Sequence, residues 1–144
     1  MEYRVCRNNP APYNDLNGKI SLLGLGTMRL PLRDAADQTS IDEEKAQEIF
    51  DYAYAHGVNY FDTAYPYHGG MSEKFCGKAL AKYPRASYHL ASKLPGWLLK
   101  CDEDVPRIFN EQLANCRTDY FDFYLAHSVH ESSWSNYVKY HAYD

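Results

Sequence analysis

An α/β fold built on a parallel sheet is predicted by four short apolar runs that alternate with stretches of helical periodicity. The runs are Ile20 to Gly26, Val58 to Asp62, Tyr88 to Lys93 and Phe121 to His127. Between them, apolar residues recur every three or four positions, and glycine or proline marks the breaks. Parallel strands joined by helices wind right-handed, and a complete eight-stranded barrel takes about 250 residues. Four βα units in 144 residues therefore read as the first half of a (β/α)8 barrel of the TIM type, one unit over residues 1–144.

Each element has a local reason. Residues 1–19 carry two prolines, four asparagines and one glycine, which suits an irregular or hairpin-like lead-in. The run from Ile20, I-S-L-L-G-L-G, reads as one buried strand ending near Gly26, its glycines serving either tight packing or the close approach of a ligand. Ser40 and Glu43 have capping-box spacing, and Ala46, Ile49, Phe50 and Ala53 follow on one helical face until Gly57. After the strand Val58 to Asp62, Pro66 and Gly69-Gly70 forbid regular structure. Ser72 caps a helix to about Lys82, with Phe75, Cys76, Ala79 and Leu80 inward and Pro84 beyond. Pro95 and Gly96 follow the third strand. The next helix starts near Asp104 with Pro106 in its first turn, and Val105, Ile108, Phe109, Leu113 and Cys116 form its apolar face. Beyond the fourth strand, Trp134, Tyr137, Val138 and His141 keep helical spacing with no stop signal before Asp144.

Half a barrel leaves its first and fourth strands as open edges and its inner side chains without a facing layer. Self-association through those edges, with two copies forming one pseudo-barrel, is one remedy. The preferred expectation is that the sequence is a piece of a longer product.

Composition narrows the function. A net charge of -4, a pI near 5.8 and no run of basic residues argue against nucleic acid or an anionic membrane as partner. No apolar stretch is long enough to span a bilayer, and the first residues lack a secretion signal, so the expected home is the cytoplasm. Cys6, Cys76, Cys101 and Cys116 are widely spaced, with no zinc-type pairing, and read as free thiols; no metal site is expected.

Three successive strands end in ionisable residues, Asp62, Lys93 and His127, and Tyr67 lies in the loop after the first. Carboxyl ends of parallel strands are where ligands meet such sheets. A lysine buried beside a tyrosine favours phenolate, a carboxylate holds the lysine charged and oriented, and a histidine can bond a substrate oxygen. Together these groups suit proton transfer to a carbonyl oxygen. Singly each has a plainer reading: a loop-capping acid, a solvated strand-end cation, one of six histidines, one of fourteen tyrosines. Their conjunction at corresponding strand ends favours chemistry. His68-Gly69-Gly70 has neither G-x-G-x-x-G spacing nor the lysine of a P-loop.

The wording of the chain resembles the amino-terminal half of an aldo-keto reductase. The resemblance rests on G-L-G-T-M-R-L-P at Gly24 to Pro31, H-G-V-N-Y-F-D-T-A-Y-P-Y-H-G-G-M-S-E at His56 to Glu73, A-S-K-L-P at Ala91 to Pro95, and Q-L-A-N-C-R-T-D-Y-F-D-F-Y-L-A-H at Gln112 to His127. P-Y-H-G-G and Q-L-x-x-C look most like the bacterial branch whose full-length members carry a ferredoxin-like iron-sulfur tail. This chain lacks the cysteine cluster for such a centre.

The resemblance implies a catalytic tetrad of Asp62, Tyr67, Lys93 and His127, with Tyr67 as general acid, Lys93 and Asp62 tuning it and His127 orienting the carbonyl. It implies NADPH, or NADH, as hydride donor beside Gly26, Thr27, Met28 and Asp62, and a small aldehyde or ketone against Pro66 and Trp97. In the family, most of the grip on the cofactor comes from later strands that this sequence does not contain, so the isolated chain is expected to be weakly active or inactive. The rival expectation is a non-catalytic half-barrel, an interaction or assembly module or a cofactor-sensing regulatory subunit.

Overall fold

The computed structural model describes residues 1–5 and 19–142. Cys6, part of the lead-in and Asp144 lie outside the described residues. β1 (Tyr3–Val5) and β2 (Lys19–Ser21) pair antiparallel, with Arg4 opposite Ile20. Four further strands, β3 (Leu25–Gly26), β4 (Tyr60–Asp62), β5 (His89–Leu94) and β6 (Phe123–Ala126), form a second sheet, all parallel and in sequence order. Sequential neighbours mean that the crossovers never reverse, which is the winding of a barrel rather than of a doubly wound sheet. The sheet is therefore half of a (β/α)8 barrel, with β3 and β6 at its edges.

The run from Ile20 to Gly26 is not one strand. Ile20 and Ser21 belong to β2, Leu22 and Leu23 are exposed, and only Leu25–Gly26 joins the parallel sheet. Side-chain bonding turns the chain there: Ser21 N donates to Asn59 Oδ1 (2.8 Å), while Asn59 N donates to Ser21 Oγ (3.1 Å). Asn59 Nδ2 also reaches Lys19 O, and the His89 ring meets the same carbonyl. The antiparallel pair thus covers the amino ends of β4 and β5, leaving the carboxyl ends open.

Helix α1 (Glu43–Ala55) is capped by Asp42, whose carboxylate accepts from Lys45 N, rather than by Ser40, whose hydroxyl is spent on Asp34 and Asp37. Ala46 and Phe50 are its buried residues, whereas Ile49, placed inward by periodicity, is 41% exposed. Helix α2 (Met71–Leu80) starts from Gly70 at a left-handed φ of 88°, so Ser72 is not its cap. Ser72 is instead buried, its hydroxyl meeting those of Thr27 (2.8 Å) and Thr63 (2.9 Å).

Helix α3 (Asp104–Cys116) crosses α2 so closely that a Cβ on Gly77 would lie 2.6 Å from the Cys116 carbonyl carbon. Helix α4 (Glu131–Lys139) stops before His141, which takes a left-handed φ of 48°. The main core lies between the sheet and α1 and α2, where Phe50 meets Phe61 and Phe75 at 5.3 and 5.5 Å between ring centres. A second cluster, Leu94, Leu99, Ile108 and Tyr137, sits under α3 and α4. Of the described cysteines, Cys76, Cys101 and Cys116 are free.

Candidate active site

The carboxyl ends of β4 and β5 meet at one ammonium group, and that of β6 lies beside it. Lys93 Nζ donates to Asp62 Oδ1 (2.6 Å), to Thr63 O (2.7 Å) and to Tyr67 Oη (3.2 Å). An ammonium has three protons, and here each has an acceptor. The pair is largely sheltered, with side-chain exposures of 13% for Lys93 and 28% for Asp62, so water screens it less than a surface ion pair. Strand pairing enforces the arrangement: Asp62 lies beside Ala91 and Lys93 beside Leu125.

His127 follows β6 directly, and its backbone N–H extends the ladder to Leu94 O (2.9 Å). Its ring stands edge-on to Tyr67 at 5.6 Å and tilts against Trp97 at 5.1 Å. Burial, and then the Lys93 charge, push the imidazole below its ordinary value, so it is neutral at physiological pH. Its Nδ1 is buried without a hydrogen-bond partner among the described residues. A neutral ring with bonding capacity to spare, beside a phenol held by an ammonium, can orient a carbonyl oxygen that takes the phenol proton.

The residues expected near a cofactor and substrate divide into two kinds. Gly26 is exposed, and a Cβ there would meet nothing within 4 Å, so the backbone beside Asp62 is open to a flat ring. Met28 is 58% exposed and lines an open depression with Pro66, Tyr67, Trp97 and His127. Thr27 is fully buried instead: its N and Oγ1 both donate to Asp62 O at 2.9 Å. It acts as a strut for Asp62, and its side chain does not face the depression. Among the described residues no arginine or lysine lines the depression, so a nicotinamide-sized ring fits it better than a pyrophosphate does.

Two supporting features escaped the sequence reading. His68, buried and at a left-handed φ of 53°, ties the Tyr67 loop to the loop after β3. Its Nε2 accepts from Leu30 N (3.1 Å), so Nδ1 carries the proton given to Gln38 O (2.9 Å). The only signal was a histidine before two glycines. Behind Lys93, the fully buried Glu73 accepts from Ser92 Oγ (2.6 Å), Gln112 Nε2 (2.6 Å) and Asn115 Nδ2 (3.2 Å). Gln112 also reaches Lys93 O (3.1 Å), so α2 and α3 brace the strand end that carries the lysine. Tyr137, fully buried, places its hydroxyl 2.6 Å from His127 O and accepts from Gly96 N.

Residues 22–137 match the Aldo/keto reductase family, a span that includes all four converging side chains. The chain belongs to that family. It is similar to L-galactose dehydrogenase of Arabidopsis thaliana, 32% identical over 126 residues, which cover 83% of this chain and 38% of that protein. Among solved aldo-keto reductases, the holo form of one from Bacillus halodurans is 31% identical, covering 87% of this chain and 40% of its own at a TM-score of 0.64. One from Klebsiella pneumoniae, in complex with NADP and acetate, is 27% identical, covering 76% and 36% at a TM-score of 0.60. This aldo/keto reductase chain thus spans well under half the length of these relatives.

Proposed function

We propose that the chain carries the proton-transfer half of an NADPH-dependent oxidoreductase that reduces aldehydes or ketones to alcohols, in the cytoplasm, with NADH the less favoured donor. The observation that supports this most is the Lys93 ammonium bonded at once to the Asp62 carboxylate and the Tyr67 hydroxyl. When bound, the reduced nicotinamide supplies a hydride to the carbonyl carbon. Tyr67 gives its hydroxyl proton to the carbonyl oxygen as the C=O π electrons move there, which leaves the alcohol and a phenolate. Lys93, held by Asp62, stabilises that phenolate until solvent returns the proton. His127 orients the carbonyl oxygen, Pro66 and Trp97 wall the substrate, and Gly26 and Met28 border the nicotinamide, with the backbone of Thr27 between them.

The NADP held by the Klebsiella relative favours this choice of cofactor. With no arginine or lysine in the depression to hold phosphates, binding by the isolated chain is weak and turnover slow. The open edges β3 and β6 also favour a second reading, a non-catalytic half-barrel that self-associates as an interaction or assembly module.

Titrating the purified chain with NADPH, followed by tryptophan and nicotinamide fluorescence beside light scattering, separates the two. Weak saturable binding that survives Tyr67→Phe is expected, because that change removes the hydroxyl and leaves the ring that borders the depression. No binding up to millimolar NADPH would end the case for catalysis by this chain alone.

A further inference from the structure

The sequence has no run of basic residues, yet the fold assembles one from distant positions. Arg33 from the loop after β3, Lys74 and Lys78 from the outer face of α2, and Arg117 from the end of α3 line one cleft. Among the described residues Glu43 is the one carboxylate in that lining, and it is engaged by Lys78. Arg33, Lys74 and Arg117 make no ion pair with any described carboxylate, although Lys45, Lys82, Arg85, Lys93 and Arg107 each do. Like charges gathered in a concavity repel one another and raise a positive potential, here on a chain whose net charge is -4.

Arg117 adds a backbone cost. It caps α3 at a left-handed φ of 52°, where glycine is the usual residue and a side chain costs about 1 kcal/mol. The floor of the cleft is apolar, formed by Ile41 and Phe75 with Met71 at its side, and the hydroxyls of Thr39 and Ser40 stand at the rim.

We propose that this cleft is a binding site for a small organic phosphate. The phosphate lies among Arg33, Lys74 and Arg117, where the two guanidinium forks match its oxygens in pairs and the Lys74 ammonium adds a third charge, and the apolar body rests against Met71 and Phe75. A long polyanion fits less well, because the adjoining α1 carries Glu44, Glu48 and Asp51. The site has no lining residue in common with the Tyr67 depression, so it stands or falls independently of the proposed reaction.

Amide NMR of the full chain, titrated with phenyl phosphate and separately with inorganic phosphate, tests the assignment. Saturable shifts confined to Arg33, Thr39, Lys74, Lys78 and Arg117 are expected, with phenyl phosphate the tighter ligand. Arg117→Gly removes the guanidinium while relieving the left-handed strain, so it should weaken binding about tenfold without lowering the melting temperature; Lys74→Gln should act in the same direction. The proposal is overturned if binding survives both changes, or if shifts spread equally to Arg4, Lys100 and Lys139. It is also overturned if a glutamate-rich peptide binds the cleft more tightly than phenyl phosphate, which would make it a surface for an acidic protein.

Discussion

Lys93 shows how much one side chain can organise: its three donors join a strand end, a loop carbonyl and a phenol. That convergence was legible in the sequence, because Asp62, Lys93 and His127 each close an apolar run and parallel strands align their ends. His68, Glu73 and Gln112 were not legible, since their roles depend on partners many residues away that local spacing does not encode. Asp122 is another such residue. Its carboxylate is 2% exposed and accepts from Arg85 Nη2 (2.7 Å) and Leu90 N (2.8 Å). Burial raises this acid, but bonds from His89, Leu90 and Arg85 outweigh burial and hold it below the ordinary carboxylate range. Its stabilising contribution is therefore complete above the unfolded value, near pH 4, and is lost as pH falls through the lower folded value. Asp122→Asn should cost about 3 kcal/mol at neutral pH and flatten that acid limb, as read by urea denaturation across pH.

At the scale of elements, periodicity found the four α-helices of the described residues but not the short 3-10 turns such as Tyr67–Gly70, and it failed at the caps. Ser40 and Ser72 had capping residue types, but loop carbonyls claimed one hydroxyl and the Thr27 and Thr63 hydroxyls claimed the other. Ile49 kept helical spacing yet faces outward, because helical spacing marks a face without fixing how wide a stripe the sheet will cover. The split of the Ile20 run depends on the bonds between Ser21 and Asn59, which no apolar pattern reports. Gly77 carries the clearest prediction at this scale. Its missing side chain lets α2 and α3 touch, and an added methyl would meet backbone, which cannot swing aside. Gly77→Ala should destabilise the chain by about 1–3 kcal/mol despite alanine's better helix propensity. A melting temperature equal to or above the parent's would show that the helices separate freely.

At the scale of the whole fold, the described residues form half a barrel whose candidate site and edge strands pull in different directions. Four parallel strands in sequence order bring Asp62, Lys93 and His127 to one rim, while β3 and β6 are the edges of the sheet among the described residues and Leu125 stays 39% exposed. The barrel class was legible because four βα units fit the length. The basic cleft was not, since its four cations come from three separate stretches of chain. What the molecule does rests on whether Tyr67 moves a proton. The most direct measurement is NADPH oxidation with excess protein and a simple aromatic aldehyde, followed by absorbance within a single turnover and repeated with Tyr67→Phe. Slow oxidation that saturates with aldehyde and falls by about 10²-fold or more in the variant is the predicted result. Oxidation no faster than without protein, or equally fast with Tyr67→Phe, would contradict it.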